Sequence, residues 1–94
     1  MRLILAETAL NDLDDILGYI QQHNPAAAVE TVDRVLSAIE GQMEFPKMGR
    51  PGRAKGTREL VVSGLPYVVA YRVGADRVEI ARVLHGARRW PRRL

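Results

Sequence analysis

Asn24-Pro25 separates two stretches that both carry apolar residues at helical spacing, and this one break decides most of what the first half of the chain can become. Asparagine is a good N-cap, and proline suits the first helical position because its missing N–H would have no intrahelical partner there anyway. Before the break, Ala9, Leu10, Leu13, Ile16, Leu17 and Ile20 recur every three or four residues, with Asp12, Asp14, Asp15, Gln21 and Gln22 between them. After it, Ala28, Val32, Val35, Leu36, Ile39 and Met43 repeat the pattern. Two amphipathic helices joined by so short a link form an antiparallel hairpin. The acids of the first helix fall mostly in its early turns, where the helix dipole favours negative charge, and they read as a solvated face. Ala6 precedes that helix and offers it no side-chain cap.

Pro46 ends the second helix. The stretch KMGRPGRAKGT (47–57) has three glycines, a proline and four basic residues, too little apolar content for a core element, and reads as a mobile cationic loop. The periodicity then changes to alternation: RELVV (58–62), YVVAYRV (67–73) after a Ser63-Gly64-Leu65-Pro66 turn, and RVEIARVLH (77–85) after Gly74-Ala75-Asp76. Short turns make these strands an antiparallel meander, and Arg2 to Leu5 adds a short strand before the first helix. The expected fold is α+β in the order β-α-α-β-β-β: a helical hairpin on one face of a mainly antiparallel four-stranded sheet. With 94 residues and 47% apolar composition, it makes a single domain spanning residues 1–94.

The strands have two apolar faces. Tyr67, Val69, Tyr71 and Val73 alternate with Val68, Ala70 and Arg72; Val78, Ile80, Arg82 and Leu84 alternate with Glu79, Ala81, Val83 and His85. One helical hairpin covers one face of such a sheet. The other either receives a protein partner, the preferred expectation, or is shielded by the loop and the arginine stems.

Cysteine is absent, so disulfides, thiolate zinc sites and thiol catalysis are excluded, which fits a cytoplasmic site. The opening MRLILAETAL is too short in its apolar run for a signal peptide, and no later segment approaches a membrane span. Net charge is +3, but residues 1–45 carry 2 basic and 8 acidic side chains, for −6, whereas residues 46–94 carry 12 basic and 3 acidic, for +9. A cationic half suits a nucleic acid or an acidic protein segment; scattered arginines that merely solubilise a sheet are the alternative.

Only one constellation could act on a phosphodiester: Arg58, Arg72, Arg82 and Arg88 with His85 and Glu59. Metal-free RNA cleavage needs a base for the 2′-OH, an acid for the leaving oxygen and cations for the phosphate, and these residue types supply all of them. His85 is otherwise a hydrogen-bonding residue at a strand end. No cofactor or metal is implied: His23 and His85 stand 62 positions apart, and the glycines 49, 52 and 56 lead into a strand rather than a helix. Trp90 either stacks on a base or packs against the sheet edge or a partner.

Across nearly the whole chain, ALNDLDDILGYI, NPAAA, FPKMGR, RELVV, PYVVAYRV and VLHGARRWP occur in an order and spacing that resemble the RelE/ParE superfamily of toxins, most closely the ParE branch. The resemblance implies a ParD-like antitoxin whose C-terminal segment wraps the toxin, with Arg58, Arg72, Arg82, Tyr67 and Tyr71 as natural contacts. It also implies operator DNA binding through the antitoxin alone. ParE-type relatives inhibit DNA gyrase, whereas RelE-type relatives cut messenger RNA on the ribosome with basic residues and a tyrosine, or a histidine and a glutamate. No tyrosine follows residue 71 here, so gyrase inhibition is the expectation, with Arg88, Arg89, Trp90, Arg92 and Arg93 as a target-docking tail. A histidine-based nuclease and a module member that only binds its antitoxin stay open beside it.

Overall fold

A computed structural model describes residues 2–91. β1 (Arg2–Leu5) leads into α1 (Glu7–Gln21) and α2 (Pro25–Gln42), a 3₁₀ turn (Pro46–Met48), and then β2 (Arg50–Pro51), β3 (Arg58–Val61), β4 (Tyr67–Val73) and β5 (Arg77–His85). The strands form one sheet in the order β1-β5-β4-β3-β2, with β1 parallel to β5 and the other pairs antiparallel. The α+β order matches the sequence expectation, but the sheet has five strands rather than four.

Local chemistry sets the helix boundaries. Asn24 Oδ1 accepts the Ala27 N–H at 3.1 Å with Pro25 in the first turn, as that dipeptide requires. Ala6 gives α1 no side-chain cap. Ala9, Leu13, Val35 and Ile39 meet Val62, Val69, Tyr71, Val78, Ile80 and Val83 between the hairpin and the sheet. Each fully buried valine, isoleucine or leucine contributes about 1.5–3 kcal/mol relative to exposure.

The fifth strand comes from the stretch read as a loop. Arg50 and Pro51 pair with Glu59 and Arg58, and Gly52 N–H donates to the Thr57 carbonyl at 2.8 Å. Proline is tolerated there because the strand is an edge and needs few donors. Thr57 Oγ1 donates to the Ala54 carbonyl at 2.6 Å, and Gly56 supplies the φ of 79° that closes the turn. The segment is pinned rather than free, and Ala54 is buried.

Alternation in β5 fails at one residue. Ala70 pairs with Arg82 but Tyr71 pairs with Ile80, so Ala81 is the extra residue of a β-bulge. Past it the faces exchange: Val83 joins Val78 and Ile80 in the core beneath the helices, while Leu84 shares the opposite face with its partner Val68. That opposite face is not open. Val68, Ala70 and Leu84 are at most 5% exposed; Gly86 lies against Val68, and Arg53 ties Gly86 to Glu59 on the same face. The expectation of a bare apolar surface awaiting a partner is therefore corrected, because the chain already buries the apolar residues of that face. Among the described residues no helix is long and apolar enough to cross a membrane.

Candidate functional site

β1 flanks β5 only as far as Ile80, so the outer edge of β5 beyond that point has backbone groups that need other partners. α1 supplies them. Thr8 Oγ1 donates to the Ala81 carbonyl at 2.7 Å, and the Asp12 carboxylate accepts the Val83 N–H at 2.9 Å. The same carboxylate holds the Arg82 fork through Nε at 2.7 Å and Nη2 at 2.9 Å. This hydrogen bond, against the cost of burial, raises the Arg82 pKa and fixes its charge. Asp12 is 7% exposed and belongs to the interior, not to a solvated face. Its position announces this: it lies three residues after Ala9 and four before Ile16, on the apolar stripe.

The residues proposed for phosphodiester chemistry are distributed rather than gathered. Arg58 and His85 face the helical side, opposite Tyr71 and Tyr67 respectively, four residues apart along β4 and so about 13 Å. Arg58 Nη1 donates to the carbonyls of Lys47 and Gly49. Glu59 faces the other side at 2% exposure, where Arg50 Nη2 reaches it at 2.9 Å, Arg53 Nε at 3.6 Å and the Arg53 N–H at 2.7 Å. Arg72 shares that face and lies 3.6 Å from Glu79. His85 Nδ1 accepts the Ala87 N–H at 3.1 Å, the bond of a strand-ending residue. Glu59 and His85 thus stand on opposite faces and form no acid–base pair.

Tyr71, expected at a partner surface, is 1% exposed. Its hydroxyl donates to the Pro46 carbonyl at 2.7 Å and accepts from Gly49 N–H at 3.0 Å and Gln42 Nε2 at 3.2 Å, which ties the end of α2 and the 3₁₀ turn to the sheet. It serves the fold. Tyr67 is different: with Ile16, Tyr19, His85 and Arg88 it lines an open groove of about 480 Å³ between α1 and the end of β5. Burial, and secondarily Tyr19, raises the Tyr67 pKa. The phase of Tyr19 on α1 marks it in sequence as merely exposed; the groove appears only when α1 is laid along β5.

After β5 the chain turns back. Trp90 Nε1 donates to the His85 carbonyl at 3.3 Å, and the Arg53 guanidinium carbon sits 4.2 Å from the centre of the Trp90 ring. Arg88 and Arg89 are exposed, and among the described residues neither side chain joins an ion pair. Arg92 and Arg93 lie outside the described residues.

Known proteins resemble this chain in sequence and in fold. The family model for the ParE toxin of type II toxin-antitoxin system parDE matches residues 3–90. Y4kP of Sinorhizobium fredii is 45% identical over 86 residues, covering 92% of this chain and 88% of that protein. Toxin RelE3 of Caulobacter vibrioides is 34% identical over 87 residues, covering 90% of this chain and 94% of its own. A solved chain of the chromosomal ParDE TA system from P. aeruginosa superposes with a TM-score of 0.82 at 24% identity, over 88% of this chain and 92% of that one. The molecule is a toxin of the type II toxin-antitoxin class. Within that class, the chain belongs to the ParE toxin family.

Proposed function

We propose that the chain inhibits DNA gyrase and is neutralised by a ParD-like antitoxin. The observation that carries the reading is the separation of Glu59 from His85 on opposite sheet faces, with Arg58 and Arg82 held by internal partners. A set so divided lacks the paired acid and base that metal-free RNA cleavage uses. The exposed Arg88 and Arg89 beside Trp90 are instead the residue types that dominate protein interfaces. The groove of Ile16, Tyr19 and Tyr67 offers area for the apolar anchors of an antitoxin segment, with Arg88 for an acid at one side and Asp15 excluding acids at another. Arg72 and Arg82 contribute to that contact only by sharing or giving up Glu79 and Asp12.

Purified protein added to a gyrase supercoiling reaction tests the reading. Wild type should block supercoiling, and Arg88→Glu with Arg89→Glu should relieve the block without loss of fold. A protein inert toward gyrase overturns it. A ribosome-dependent endoribonuclease is the second reading, because the groove gathers His85, Tyr67, Tyr19 and Arg88. Primer extension on translating ribosomes, run in parallel, separates the two. On that reading His85→Ala lowers cleavage about 10²-fold or more.

A further inference from the structure

Trp90 is the chain's only tryptophan, and beside its own bond to the His85 carbonyl it is held by Arg53, a residue distant in sequence. Arg53, in the turn after β2, makes four contacts. Its backbone N–H donates to Glu59 Oε2 at 2.7 Å and its Nε lies 3.6 Å from Glu59 Oε1. Its Nη1 donates to the Gly86 carbonyl at 3.4 Å, and its guanidinium covers the Trp90 ring at 4.2 Å. Glu59 is itself buried and shared with Arg50, whose Nε and Nη2 both reach Oε1. A buried carboxylate with two arginine partners is a fixed anchor, because freeing it would strand its charge.

We propose that Arg53 is a positioning residue for the tail: Glu59 orients it, and it holds Trp90 in place so that the target meets a preset surface. This rests on the reading of residues 88–90 as the target contact. A side chain ordered before association does not have to lose its freedom during it, so the latch raises affinity without touching the target. The same grip joins the cationic loop to the tail at Gly86, which lies beside Val68.

Trp90 fluorescence in the full-length protein reads the latch directly. Arg53→Ala should shift its emission to the red and raise its acrylamide quenching roughly two- to fivefold, in line with loss of a partly exposed cation–π contact. Arg53→Lys keeps a cation over the ring and should restore much of the protection. Circular dichroism should stay unchanged in both, since the Arg53 side chain is 42% exposed. In the gyrase reaction, Arg53→Ala and Trp90→Ala should raise the half-inhibitory concentration by the same factor, and the double variant no further. Unchanged quenching in Arg53→Ala overturns the latch; freed Trp90 with unchanged inhibition overturns its role in positioning. Should wild type fail against gyrase while Arg53→Ala frees Trp90, the latch stands and the target reading falls.

Discussion

Asp12→Ala removes the one side chain that serves both the bulged strand and an arginine, and its cost follows from the contacts it ends. Val83 N–H loses its acceptor at 2.9 Å in a buried setting, which costs about 1–3 kcal/mol. Arg82 loses both bonds to the carboxylate, but its side chain is 21% exposed and can turn toward water. Its share therefore falls below the roughly 3–5 kcal/mol of breaking a fully buried pair. A total near 3 kcal/mol results. For a domain of this size that lowers Tm by about 12–24 °C, and urea unfolding should show a lower midpoint with little change in slope. Asp12→Asn keeps an oxygen for Val83 while giving up the charge, and should cost about half as much. A double-mutant cycle with Arg82→Met separates the backbone share from the ion pair. If Asp12→Ala unfolds within about 0.5 kcal/mol of wild type, the bulge is held by something other than α1 and the reasoning fails.

Tyr71→Phe deletes a hydroxyl with three partners and should destabilise by about 2 kcal/mol, with faster limited proteolysis between Pro46 and Thr57; an unchanged cleavage pattern would remove the anchor role. Gly49→Ala should act similarly, since a Cβ there collides with the Tyr71 hydroxyl, and combining it with Tyr71→Phe should cost less than the sum, as a denaturation series will show. Tyr67 should titrate above the ordinary phenol value of 10.0, visible in an ultraviolet difference titration against Tyr67→Phe. The sign is fixed by linkage: above the unfolded pKa the unfolded chain sheds this proton first, so the contribution is complete below that pKa and is lost as pH rises through the folded one. A Tyr67 midpoint at or below the ordinary value would show that the groove does not bury it.

Elements that depend on neighbours along the chain were legible. Asn24-Pro25 set one helix boundary and the alternating runs at 67–73 and 77–85 set two strands, because caps, turns and periodicity act within a few residues. What escaped was decided across long separations. The bulge at Ala81 has no composition of its own; Thr8 and Asp12, some seventy residues earlier, supply the hydrogen bonds that make it stable. Without it the alternation sends Val83 to the wrong face. The 47–57 stretch has the composition of a loop for the same reason: its short strand and buried Ala54 follow from Glu59, which collects Arg50 and Arg53 onto the sheet.

The charge count shows how far a surface can differ from its sequence. The +9 of residues 46–94 suggested a broadly cationic half, but folding draws on it unevenly. Arg50 and Arg53 meet Glu59 from the same half, Arg72 meets Glu79, and Arg82 meets Asp12 from the acidic half. The two one-to-one pairs contribute little to the field a partner senses at a distance, since each is close to neutral beyond a Debye length, whereas Glu59 offsets one of its two arginines. Arg88 and Arg89 keep theirs, as do the exposed Lys47, Lys55 and Arg77, so the tail is one of the places where the remaining positive potential meets solvent. Arg88→Glu with Arg89→Glu should steepen neither the unfolding curve nor its salt dependence, yet should weaken the ionic-strength dependence of association with an acidic antitoxin or target. Equal salt dependence before and after that change would place the functional charge elsewhere on the molecule.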